Sequence, residues 1–237
     1  MSGSASTEQG SLASLAGRFF VLDGPDGSGK TTQQTRLREH LESCGLEVVC
    51  CRDPGGTQIG DRIRSVLLDY DLEKMNVRCE TLLFMASRAQ LCHELIQPAL
   101  EAGCVVLCDR FVSATCAYQG AAGFDSRKII ELAWHAIGDL WPHLTIIVDV
   151  PTDVAFERLG RTVARSAKVD RDKGQTVLFP DAVPDAIETR PQSYHSRVRE
   201  NFLELPGYYP TPVAVVDGSK DSDTVFAEVL QAVVMHA

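Results

Sequence analysis

The sequence predicts a three-layer α/β fold, in which a five-stranded parallel sheet carries helices on both faces. Three observations predict it. Short apolar runs alternate with helix-length stretches, several of the runs end in Asp or Arg, and a glycine-rich turn follows the first run. Strands covered on both faces read as continuous apolar runs because neither side meets water.

The five runs lie at 19–23, 47–52, 104–109, 145–150 and 212–217, each rich in Val, Ile, Cys or Phe. Helical patterns fill the intervals, as at 31–44 and 79–102. In such sheets ligands bind beyond the carboxyl ends of the strands, where these Asp and Arg residues stand. One stretch fits no regular element. From about 160 to 190 it contains Gly174, Pro180, Pro184 and many charges, and a loop this long in a compact domain reads as a lid or a disordered segment. Residues 1–17 are small and polar and read as a disordered tail. Residues 18–237 then form a single domain.

The chain has 237 residues, 44% of them hydrophobic, and a net charge of -9. That charge argues against a long polyanion as partner, because nucleic acid requires a basic footprint over many phosphates. No apolar run reaches the roughly 18 residues of a membrane span. The eight cysteines, at 44, 50, 51, 79, 92, 104, 108 and 116, show no C-x-x-C pair and no zinc spacing. They read as reduced, mostly buried thiols, which together with the absence of a signal pattern implies a cytoplasmic location.

Gly24, Pro25, Asp26, Gly27, Ser28, Gly29, Lys30 and Thr31, followed by Thr32, match G-x-x-x-x-G-K-[ST] between a strand and a helix. Glycines allow successive backbone N–H groups to turn toward a phosphate, and the helix N-terminus adds positive potential. Lys30 would reach the β and γ oxygens of ATP, and Thr31 would offer its hydroxyl to Mg²⁺. The fold expected is therefore that of the P-loop NTPases. The glycine order does not suit the dinucleotide fingerprint. A guanine-reading N-K-x-D is also absent, since the two asparagines, Asn76 and Asn201, are not followed by Lys.

Further residues would complete a site on the same edge. Arg52 ends the second run, where a guanidinium can clamp a phosphate through two parallel hydrogen bonds or form a surface ion pair. Phe84 and Arg88, four apart, share a helix face where a ring could stack on a base and the guanidinium donate to a carbonyl; a core Phe beside a solvated Arg is the plainer alternative. Asp109 ends the third run as a ligand for Mg²⁺ through water, with Arg110 beside it. Six basic residues lie between 158 and 173, among them Arg161 and Arg165, which would follow a helix at 154–159 by about one turn. They form either a solvated loop or a source of positive charge for a transferring phosphoryl group.

These pieces resemble the thymidylate kinase family from Phe19 to about Leu205. They are the P-loop with Asp26, then Arg52-Asp53-Pro54-Gly55-Gly56-Thr57, Phe84-Met85-Ala86-Ser87-Arg88-Ala89-Gln90, Asp109-Arg110-Phe111 and Ala117-Tyr118-Gln119-Gly120, with a basic lid. The resemblance implies transfer of the γ-phosphoryl group from Mg-ATP to dTMP by a homodimeric enzyme. It implies that Asp26 meets the 3′-hydroxyl, that Arg88 donates to thymine O4, and that Arg110 reaches the acceptor phosphate. Tyr118 and Gln119 would lie under the deoxyribose and beside the base, with Thr115 reading the base edge. A lid arginine, Arg161 or Arg165, would serve the transition state, since the P-loop has none. Three departures stand out: Asp53 replaces the usual Glu, Phe111 replaces Tyr, and Ser87 replaces an Asp, which is expected to loosen Arg88. A kinase for another small acceptor and a non-catalytic nucleotide-binding switch are the alternatives.

Overall fold

Strand β1 (Phe19–Asp23) is buried along its whole length and feeds two cores at once. Side chains alternate across a strand, so Phe19 and Val21 enter one core while Phe20 and Leu22 enter the other. The computed structural model describes residues 14–69, 75–169 and 190–236, with the side chains of 69 and 161–169 outside that description. Among them, β1 is joined by β2 (Val48–Arg52), β3 (Val105–Asp109), β4 (Leu144–Asp149) and β5 (Val213–Asp217) in one sheet of order β2-β3-β1-β4-β5. Every pairing is parallel. Strand order reverses around β1, so the crevice at its carboxyl end is the expected ligand site.

Helices α1 (Lys30–Ser43) and α9 (Ser222–Met235) cover one face, with Leu37, Leu41, Val225, Val229 and Val233 fully or nearly fully buried against β1, β3 and β4. The opposite face carries α3 (Val77–Leu91), α5 (Val112–Ala121), α6 (Ser126–Ile137) and α8 (Gln192–Glu204). Between β2 and α3 lies α2 (Gln58–Asp69). A π-helical turn at Cys92–Ile96 joins α3 to the short α4 (Gln97–Glu101), where Pro98 withholds an N–H from the ladder. The predicted helix at 79–102 is thus one continuous rod with a local change of hydrogen bonding.

Two expected boundaries move. Residues 14–17, assigned to the tail, form a turn whose Leu15 is fully buried in the α1–α9 core and whose Gly17 N–H donates to Gly103 O at 3.0 Å. The apolar side chain outweighs its polar neighbours. The helix expected at 154–159 runs as α7 (Thr152–Val169), so Arg161 and Arg165 are helical rather than beyond a helix. Gly160 costs about 1 kcal/mol against Ala, which the Arg, Ala and Lys residues that follow offset. The remainder of the expected lid, 170–189, lies outside the described residues. All eight cysteines are unpaired. Cys51, Cys92, Cys104, Cys108 and Cys116 are buried, whereas Cys44, Cys50 and Cys79 are exposed.

Candidate active site

The loop from Gly24 to Lys30 owes its shape to steric limits. A Cβ on Gly24 would lie 2.4 Å from Val148 O, and one on Gly27 would lie 2.5 Å from Ala155 O. Both glycines also have positive φ, so no L-side chain suits either place. The loop is therefore pressed against β4 and α7. Arg158 on α7 reinforces this contact, donating from Nη1 to Ser28 O at 3.4 Å and to Gly218 O at 3.0 Å. Lys30 Nζ reaches back to Pro25 O at 3.2 Å and lies 3.5 Å from Asp26 Oδ1. Gly29 precedes α1 in the left-handed region, and Thr31 and Thr32 are exposed in its first turn.

Beside this loop stands a charged cluster. Arg110 adopts φ 65°, a conformation that costs a non-glycine residue on the order of 1 kcal/mol. Its N–H donates to Leu22 O at 3.0 Å, and its side chain crosses back to the P-loop. There Nη1 approaches Asp23 Oδ1 (3.4 Å) and Gly24 O (3.3 Å), and Nη2 pairs with Asp26 Oδ1. Tyr118 donates its hydroxyl to Asp26 Oδ2 at 2.8 Å, with the guanidinium 5.0 Å from its ring centroid. Burial works against ionisation of Asp26, but Arg110, Lys30 and Tyr118 hold its carboxyl well below the usual carboxylate range. Asp23 is fully buried and accepts from Gly24 N–H (2.9 Å) and Ser113 Oγ (2.6 Å). Its carboxyl is shifted up by burial, against the pull of Arg110.

A second arginine lies deeper. Arg88, 1% exposed, donates from Nε to Asp53 Oδ2 at 2.6 Å and from Nη2 to Phe111 O (3.0 Å) and Thr115 Oγ1 (2.9 Å). Its Nη1 meets Met85 Sδ at 3.1 Å, which leaves that nitrogen one further N–H of the five a guanidinium owns. The expected loosening of Arg88 does not occur. Asp53 supplies the orienting carboxylate, while Ser87 Oγ accepts Gly55 N–H at 3.1 Å. Phe84 is buried in the same core, and Phe111 packs edge-on against Phe19 with no exposed surface, so an aromatic without a hydroxyl suits that place. Gln119, 1% exposed, turns its Nε2 to Glu80 Oε1 at 3.0 Å.

Arg52 and Asp109 are register partners at the ends of β2 and β3. Asp109 Oδ1 is a buried oxygen with no hydrogen-bond partner among the described residues. A buried carboxylate oxygen in want of a donor fits a hydrated Mg²⁺ of oxygen-ligand preference. No set of three His, Cys, Asp or Glu converges among the described residues. The structure thus brings Asp26, Lys30, Arg110 and Tyr118 together on one side, and Arg88, Thr115 and Phe84 on the other. Arg161 and Arg165 lie in α7 with side chains outside the described set. Sequence reasoning missed Asp23, Ser113, Glu80 and Tyr194 as members of this site. Asp23 had a signal, an acid closing a fully apolar strand directly before the glycine-rich turn.

The thymidylate kinase family profile matches residues 22–229. A thymidylate kinase from Exiguobacterium sp. is 39% identical over 217 residues, 91% of this chain and 93% of the relative. One from Deinococcus radiodurans is 38% identical over 218 residues, covering 92% and 96%, and one from Citrifermentans bemidjiense is 41% identical over 208 residues, covering 86% of each. With a family profile spanning most of its length and relatives at about this identity over nearly all of it, the chain belongs to the thymidylate kinase family.

Proposed function

We propose that the chain is a dTMP kinase that converts ATP and dTMP to ADP and dTDP; its relatives carry the name thymidylate kinase. The observation that carries this reading is the bond set of Asp26, which ties the P-loop to Arg110 after β3 and to Tyr118 of α5. Donor and acceptor sites are thereby adjacent. An oxygen of the acceptor phosphate attacks the γ-phosphorus, the bond to the β–γ bridging oxygen breaks, and no enzyme-bound intermediate forms. The residues' work is positioning and electrostatics. The loop amides and Lys30 bind the β and γ oxygens. Arg52 and Arg110 clamp the acceptor phosphate, and Asp26 takes the 3′-hydroxyl. Phe84, Arg88, Thr115, Tyr118 and Gln119 line the sugar and base side. Mg²⁺, held by Thr31 and Asp109, would neutralise charge on the donor phosphates.

The transition-state guanidinium is assigned to Arg161 or Arg165 on α7. In support, α7 already rests on the P-loop through Ala155 and Arg158. Single-turnover transfer in the Arg161→Ala, Arg165→Ala double variant should fall by about 10³ or more, and a rate within about threefold of the parent sinks the assignment. A homodimer is supported by exposed Ile59 and Val66 on α2 and Leu82 on α3, two helices packed together on one side. Eight unpaired cysteines accord with a reducing cytoplasm, and the net charge of -9 with small-molecule rather than polymer ligands. No described helix is long and apolar enough to cross a membrane. The direct test is ADP release over dTMP, dUMP, dCMP, UMP and thymidine. The highest kcat/KM should belong to dTMP, and a clear preference for another acceptor overturns the reading.

A further inference from the structure

Glu80, on the first turn of α3, is 1% exposed. A carboxylate so placed is costly unless a cation and hydrogen-bond donors meet it. Gln119 Nε2 donates to its Oε1 at 3.0 Å, and Arg190 Nη2 donates to Oε1 and Oε2 at 3.3 and 3.2 Å. The same guanidinium lies 4.7 Å from the Tyr194 ring centroid and donates from Nη1 to its hydroxyl at 2.8 Å. The hydroxyl in turn donates to Tyr118 O at 2.9 Å. One arginine, 18% exposed, therefore reaches two consecutive residues of α5 by separate routes: Gln119 through Glu80, and Tyr118 through Tyr194. An acid facing the amide also fixes which end of Gln119 it meets, so the amide oxygen points away from Glu80.

We infer that Arg190 is a positioning residue for acceptor binding, holding Gln119 through Glu80 and Tyr118 through Tyr194 without touching the reacting atoms. The inference rests on the reading that these two α5 residues face the acceptor. It makes Glu80, Arg190 and Tyr194 one unit whose loss weakens dTMP binding selectively.

The test is steady-state kinetics of Arg190→Met, Arg190→Lys, Glu80→Gln and Gln119→Ala, alone and combined, in the full chain. Arg190→Met should raise KM for dTMP by about tenfold while KM for ATP stays within about twofold. Arg190→Lys, which restores a cation beside Glu80, should recover at least about half of that change on a logarithmic scale. In a Gln119→Ala background the effect of Arg190→Met should shrink below about threefold, since its main object is gone. Should Arg190→Met fail to fold, Glu80→Gln, which keeps the side-chain shape, should show the same selective rise. Three results overturn the inference: an unchanged KM for dTMP in Arg190→Met while Gln119→Ala raises it, equal rises for ATP and dTMP, or an undiminished effect in the Gln119→Ala background. If Gln119→Ala itself leaves KM for dTMP unchanged, the acceptor reading of α5 has failed and takes the inference with it.

Discussion

Two of the arginine–aspartate pairs at the carboxyl edge of the sheet, Arg88–Asp53 and Arg110–Asp26, differ in their surroundings. Arg88 and Asp53 have side chains 1% and 0% exposed, and the guanidinium is engaged by α3, by the residue after β2 and by α5. Arg110 and Asp26 are 18% and 19% exposed, and Asp26 is shared with Lys30 and Tyr118. A pair deep in a low-dielectric interior is hard to separate, whereas one at the rim can exchange partners with an incoming phosphate. The same chemical pair is thus sealed in the interior in the first place and left at the solvent rim in the second.

The sharpest way to break the distinction is Arg88→Ala. It strands the Asp53 carboxylate, whose Oδ1 already has no hydrogen-bond partner among the described residues, and should cost about 3 to 5 kcal/mol in urea denaturation. A loss under about 1 kcal/mol would mean that the buried pair is no more of a scaffold than the rim pair. Lys30→Ala probes the opposite side. Asp26 keeps Arg110 and Tyr118, so stability should change by less than about 1.5 kcal/mol, while kcat should fall at least about a hundredfold. Near-normal kcat in the folded variant would remove Lys30 from the phosphate site. Tyr118→Ala, at the boundary between the two pairs, should narrow the preference for deoxy over ribo acceptors by roughly tenfold. An unchanged ratio would place sugar discrimination elsewhere.

The rim side was far more legible in the sequence than the scaffold. The run from Gly24 to Thr31 is contiguous and fits a phosphate-loop spacing, even though the backbone contacts that require Gly24 and Gly27 come from β4 and α7. All five strands were readable because each is a short, dense apolar run. The Arg88–Asp53 pair spans 35 residues and the Glu80–Arg190 pair 110, and no local pattern marks either. Ser87 illustrates the limit. Its neighbour's loss of a flanking carboxylate looked like a loss of restraint, until the fold brought Asp53 across from β2. The length of α7 has a local explanation instead: the break signal of Gly160 is outweighed by the helix-forming Arg, Ala and Lys residues that follow it.

The smallest effect concerns the protonation of Asp26. Its folded-state carboxyl is held below the ordinary value of 3.8, so the unfolded chain takes up a proton first as pH falls. The stability that its ionisation contributes is complete above the unfolded value and is lost as pH falls toward the folded one. Asp23 and Asp53 are shifted the other way by burial, so what their protonated forms contribute is complete below the unfolded value and is lost as pH rises toward the folded one. They are present in parent and variant alike, so comparison with Asp26→Asn isolates the rim carboxylate. The stability gap between parent and Asp26→Asn should be flat from pH 7 to about 5. Below about 4 it should narrow, by at most about 1.4 kcal/mol per pH unit for a single proton. Urea midpoints measured at half-unit steps in pH would resolve it. A gap that stayed constant to pH 3 would show Asp26 titrating as it does in the unfolded chain, and the rim pair would then hold no more charge stabilisation than a solvated carboxylate.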